Sequence, residues 1–97
     1  MGKQHEQQGT SGFARTDAIR KLLVDQAYRC KLTGRALEPH TAAIDHMIPV
    51  SRGGASTADN LCILHTDVNR AKHTQTVEEF VQMCREVVAW MDGKRTA

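Results

Sequence analysis

The chain has 97 residues, 40% of them hydrophobic and 25% charged, which is room for one small folded domain and too apolar for a disordered one. Thirteen basic residues against eleven acidic ones leave a net charge of +2, which by itself names no partner. No apolar run approaches the ~18 residues of a membrane span, and the opening MGKQHEQQGTSG is polar, so neither a membrane protein nor an exported one is expected. Cys30, Cys62 and Cys84 are odd in number and widely spaced, which argues for reduced thiols in a cytoplasm over a disulfide framework.

Residues 1–14 hold little to bury and read as a flexible leader, with a single domain over 15–97. Ile19, Leu22, Leu23, Gln26 and Ala27 fall at helical spacing, predicting a helix from a cap at Thr16 or Asp17 to about Tyr28. Gly34 marks a turn, and Pro39 interrupts any regular element after it. Two short strands are expected, over Thr41–Ile48 up to Pro49 and over Leu61–Leu64. Between them lies SRGGASTADN, a connection of eleven residues, 50–60, with Val50 counted, that holds Gly53-Gly54 and small polar residues throughout. Hairpins usually close in about two to five residues, so a loop of this length points to function.

Thr66 can cap a short helix that carries Asn69 and Lys72. Thr76 with Glu79 has the spacing of a capping box and opens a longer helix. The apolar stripe of that helix, Val77, Phe80, Val81, Cys84, Val87, Val88 and Met91, is predicted to be core.

Basic residues are concentrated in the first 35 positions, whereas residues 36–69 carry only Arg52 against Glu38, Asp45, Asp59 and Asp67. A phosphodiester meeting both a bound cation and a basic rim would favour that arrangement. Phosphodiester hydrolysis needs a cation to offset charge on the phosphate and a base to take a proton from water. Asp45 can ligate, the imidazole of His46 is a group of the kind that can take that proton, and Asn69 can bring an amide oxygen from a helix. Asp45 and His46 are neighbours on a strand, so their side chains point to opposite faces unless the strand ends there. Asn60 can tie the loop to the strand, Lys72 can reach a phosphate, and His73 lies one helical turn beyond Asn69.

The runs CKLTGR, IDHMIPVSRGG and DNLCILHTDVNRAK, in that order, resemble the HNH endonucleases, in the small freestanding form found in phages and bacteria. The resemblance spans Tyr28 to Lys72. It implies an α+β chain with a ββα-metal (His-Me finger) core over about 41–73, a β-hairpin and a short helix flanked by N- and C-terminal helices. It further implies that His46 is the general base, that Asn60 holds the loop and orients the histidine, and that Asp45 and Asn69 ligate one divalent cation, Mg²⁺ or Mn²⁺. The third motif residue is often histidine in this family, so the chain reads as an H-N-N variant. Lys72 is expected to assist catalysis, and Arg52, Arg70, Lys72 and His73 to contact nucleic acid.

Many family members also hold a structural zinc with two C-x-x-C pairs. The corresponding positions here are Cys30 and Thr33, then His65 and Val68, two potential ligands of four, so structural zinc is not expected and Cys30 and Cys62 are read as buried hydrophobes. The expected partner is duplex DNA, met mainly through its phosphates, by a cytoplasmic monomer or weak dimer with low sequence specificity that nicks one strand per engagement. Phage packaging proteins are a further candidate partner. Two alternatives stay open on sequence alone: a DNA- or partner-binding module that keeps the fold without turnover, and a zinc-stabilised regulatory domain.

Overall fold

The computed structural model describes residues 16–96 of the chain; the expected leader, 1–14, lies outside them. The described residues form helix α1 (16–25), strands β1 (Ala42–His46) and β2 (Leu61–His65), helix α2 (Thr66–Lys72) and helix α3 (Val77–Thr96). The strands make one antiparallel hairpin with His46 opposite Leu61, Asp45 opposite Cys62 and Ile44 opposite Ile63. This α+β arrangement, a hairpin with three helices, is the small ββα fold that the resemblance implies. Among the described residues no helix is long and apolar enough to cross a membrane.

The core is small: Cys30, Leu37, Cys62, Ile63, Leu64, Val68 and Phe80 are buried, with Ile19, Leu22, Leu23 and Met47 packed against them. A two-stranded sheet leaves edge peptide groups that need partners. Gln26 supplies them to Ile63, its Nε2 donating to the carbonyl at 2.8 Å and its Oε1 accepting from the amide at 2.9 Å. A side-chain amide thereby acts as a short third strand and fixes the end of α1 to β2.

Thr16 and Asp17, the expected caps, are already helical, and α1 stops at 25 instead of Tyr28. Ala27 and Tyr28 both adopt left-handed conformations (φ 55° and 57°), and the Tyr28 amide donates back to the Leu23 carbonyl at 2.8 Å. The chain then turns through the knuckle of residues 29–36, where Gly34 (φ 74°) takes the left-handed position that a glycine adopts at least cost.

The cap of α2 is His65, whose Nδ1 accepts from the Asp67 amide at 3.1 Å, and not Thr66. At α3 the capping box is formed in both directions: Thr76 N donates to Glu79 Oε1 at 3.0 Å and Glu79 N to Thr76 Oγ1 at 3.1 Å. The stripe of α3 is core over its first turns only. Phe80 is buried and Val77 and Val81 are half-buried, but Val87, Val88 and Met91 are 49–57% exposed. Periodicity gave the face correctly; the hairpin is too short to cover all of it.

Glu79 also binds the Arg52 guanidinium, joining α3 to the loop between the strands. Arg52, together with the Thr76 amide, holds the Glu79 carboxyl down at about 2 from its ordinary 4.5. A carboxyl depressed on folding stabilises the fold above its unfolded value, and this contribution is lost as pH falls from about 4.5 through about 2. Both groups are exposed, so the effect is small. Glu79→Gln should therefore melt slightly below the parent at pH 7, and the two melting curves should converge below about pH 2.

Candidate active site

His46 is the last residue of β1, half-buried where the strand meets the loop. Its Nε2 lies 2.9 Å from Ser56 Oγ across the loop. Asp45, one position earlier, turns to the opposite face as strand alternation requires, and is 8% exposed. Its Oδ2 stands 2.9 Å from Lys72 Nζ. The contact brings charge to charge off the angle of a hydrogen bond, so Oδ2 is a buried carboxylate oxygen without a hydrogen-bond donor. Lys72 Nζ donates instead to the His46 carbonyl, at 3.1 Å.

The loop is clasped onto the end of β1 by Asn60. Its Oδ1 accepts from Ile48 N at 2.9 Å, and its Nδ2 donates to Ile48 O at 3.0 Å and to Ala55 O at 2.8 Å. A backbone bond from Met47 N to Asn60 O, 2.8 Å, completes the closure. Gly54 passes so close that a Cβ there would stand 1.7 Å from Ile48 O, nearer than any side chain tolerates. Asn60 thus ties the loop to the strand.

Asn69, Arg70, His73 and Thr74 line a separate cavity of about 320 Å³ at the end of α2. No hydrogen bond to the Asn69 carboxamide is found among the described residues, which leaves its oxygen free to ligate. His73 adopts φ 52°, caps the helix through its amide to Asn69 O at 3.1 Å, and has Nδ1 3.3 Å from Thr74 Oγ1. The structure therefore groups the predicted residues in two sets. At the end of β1, Asp45 faces Lys72 on one side and His46 faces Ser56 on the other, with Asn60 clasping the loop, while Asn69, Arg70 and His73 line the cavity at the end of α2.

One expectation is corrected here. Lys72 is fully buried, with its ammonium held by Asp45 and the His46 carbonyl, so it cannot reach a phosphate of bound DNA. Arg52 is exposed on the loop and paired with Glu79 of α3. Conversely, Ser56 was not foreseen. It sits among Ser51, Ala55 and Thr57 in a polar loop, and nothing in its local sequence distinguishes it.

The electrostatics of the hairpin follow from burial. Cys62 lies opposite Asp45, and burial, helped by the Asp45 charge, pushes its thiol up to about 11, so it is neutral at pH 7. Burial also works to raise the Cys30 thiol. Hydrogen bonds from the Thr33 hydroxyl and from the backbone of His65, Leu32 and Thr33 outweigh it, and the thiol lies below its ordinary value. The positions where relatives carry C-x-x-C pairs do converge, therefore, but on hydrogen bonds. His65 Nδ1 is spent on the α2 cap, and Val68 is core.

The donors fit a hard divalent cation in kind: a buried carboxylate lacking a hydrogen-bond donor, and an uncommitted amide oxygen. They do not make a cage. Among the described residues no three His, Cys, Asp or Glu side chains group closely enough to hold a metal ion. An ion here would keep most of its waters, as Mg²⁺ commonly does.

No curated protein matches the chain closely. The family model for HNH endonucleases matches residues 29–75, from the knuckle through the hairpin and α2. Domains of this family are nuclease-type modules that bind DNA and generally use a divalent metal. With the ββα core, the half-buried histidine at the strand end and this match in agreement, residues 29–75 of the chain form a domain of the HNH endonuclease family.

Proposed function

We propose that the protein is a divalent-cation-dependent endonuclease that hydrolyses DNA phosphodiester bonds one strand at a time, with His46 as general base. The observation that carries this reading is the hydrogen bond between His46 Nε2 and Ser56 Oγ at 2.9 Å. In the tautomer that donates Nε2–H to Ser56, Nδ1 keeps a lone pair and makes no hydrogen bond among the described residues. Nδ1 is then the atom that takes the proton from the attacking water. Asn60 and Gly54 serve the chemistry indirectly, by holding the loop that carries Ser56.

Asp45, from the end of β1, and Asn69, from the cavity at the end of α2, are the residues that this reading assigns to the cation, Mg²⁺ or Mn²⁺, whose chemistry would be to offset negative charge on the phosphate and on the departing oxygen. Family resemblance supports a 3′-hydroxyl and a 5′-phosphate as products. Arg70 and His73, both exposed beside the Asn69 cavity, are placed to meet backbone phosphate. Low sequence specificity belongs to this reading: beyond the hairpin and α2, the described residues add only the helices α1 and α3.

Plasmid nicking with Mg²⁺, with Mn²⁺ and with EDTA tests the reading: supercoiled DNA should relax to the nicked circle with either ion and persist in EDTA. Persistence under all three conditions would leave a binding module without turnover. Ser56→Ala should cut the nicking rate about tenfold without changing DNA affinity, and should alter its pH profile, because the ring loses the partner that fixes its tautomer. An unchanged profile would show that Ser56 plays no part in orienting His46.

A further inference from the structure

Lys72 is the largest of the fully buried side chains described, in a domain whose apolar core consists of cysteine, aliphatic residues and one phenylalanine. Lysine is almost never buried so completely without a partner, because its ammonium loses its hydration. Both groups that meet this ammonium belong to the end of β1: Asp45 Oδ2 at 2.9 Å and the His46 carbonyl at 3.1 Å. The carboxylate to which a cation is assigned therefore already has a cation against it.

We infer that Lys72 is a resident counter-charge for Asp45, which lets the hairpin fold without metal and holds down the affinity of Asp45 for a divalent ion. The inference rests on the reading of Asp45 as a cation ligand. Its physical basis is that the charge on one carboxylate is shared. An ion approaching Asp45 meets a carboxylate largely neutralised on its Oδ2 side and is itself repelled by an ammonium close by. Without the ammonium, the buried carboxylate would be an uncompensated charge in the metal-free protein, and a stronger ligand for any dication that arrives. Lys72 is thus a positioning residue: it also pins the His46 carbonyl, and so sets where β1 ends.

Lys72→Met keeps the unbranched apolar stem of the side chain and removes its terminal ammonium and charge. Thermal melts in EDTA and in Mn²⁺, with calorimetric titration of Mn²⁺ alone, separate the possibilities. Lys72→Met should melt about 10 °C or more below the parent in EDTA, since breaking a buried pair at one partner is strongly destabilising. Mn²⁺ should restore most of that loss, and Mn²⁺ should bind the variant at least tenfold more tightly than the parent. The double variant Lys72→Met with Asp45→Asn should recover stability in EDTA and lose Mn²⁺ binding. If Lys72→Met does not fold in EDTA, a cooperative melt in Mn²⁺ carries the same expectation, and failure to fold in either overturns it.

Binding of Mn²⁺ to Lys72→Met no tighter than to the parent, while Asp45→Asn abolishes binding, would overturn the counter-charge role and leave Asp45 as a ligand. Equal Mn²⁺ affinity in Asp45→Asn and the parent would remove the ligand reading and this inference with it.

Discussion

Replacing His46 with alanine is expected to lower the rate of plasmid nicking by ~10²-fold or more, the usual loss when a general base is removed. The protein should still fold. The imidazole makes one hydrogen bond, to a serine on a polar loop, and the loop is clasped to the strand by Asn60 through groups that His46 does not touch. The carbonyl of residue 46, which accepts from Lys72, survives the substitution. The melting temperature and DNA affinity should therefore stay close to the parent's while turnover falls. Added imidazole should return part of the activity, since it can occupy the space left by the ring and accept the same proton. A His46→Ala protein that nicks as fast as the parent would remove the mechanism; one that loses its cooperative melt would show the histidine to be structural.

What the sequence could and could not tell divides along physical lines. The hairpin was legible because apolar runs broken by Pro49 and by a glycine-bearing loop leave little choice, and observed strand ends fall within two residues of those expected. The α3 capping box was legible because both of its bonds are local to four residues. Helix ends set by less local chemistry were not. Ala27 and Tyr28 carry no glycine signal for a left-handed turn, and the cap of α2 is a histidine ring where a threonine was available one residue on.

The site shows the same division. Motif order sets Asp45, His46 and Asn60 near one another in the chain's fold; in the structure they lie at the end of β1, with Asp45 and His46 on opposite faces. The inward course of Lys72 was hidden, because helical spacing from Asn69 says which face a residue shares and nothing of what lies across from it. Its partner is 27 residues away in sequence, on β1. Ser56 was hidden for a similar reason: only the folded loop brings it back to a histidine ten residues earlier. The exposed half of the α3 stripe marks a further limit, since an amphipathic pattern defines a face and leaves open whether the domain is large enough to cover it.

Gly54→Ala is expected to have the second largest effect on activity, although residue 54 carries no chemistry. The added Cβ would lie 1.7 Å from Ile48 O, 2.6 Å from the Ile48 carbonyl carbon and 2.9 Å from Asn60 Nδ2. Two of those atoms are backbone and cannot swing aside. The loop must therefore lift from the end of β1, taking with it the Asn60 bonds to Ile48 and the Gly54 amide bond to Pro49 O at 3.0 Å. At roughly 0.5–1.5 kcal/mol for each hydrogen bond, three lost bonds cost about 2–4 kcal/mol of stability. Ser56, two residues on, would leave Nε2, so nicking should fall by ~10-fold or more.

Gly53→Ala separates this clash from the general cost of replacing a loop glycine. Gly53 has φ 92° but nothing within 4 Å of an added Cβ, so alanine there is strained without colliding. The cost should be about 1–2 kcal/mol, the left-handed penalty alone, with the clasp intact. Denaturant unfolding of the two variants, with amide exchange at Met47 and Ile48, reads the difference directly. Both amides are bonded to Asn60, and both should lose protection in Gly54→Ala and keep it in Gly53→Ala. Equal destabilisation with both amides still protected would mean that the strand end does not depend on this close approach, and that the loop holds Ser56 to His46 by some other contact.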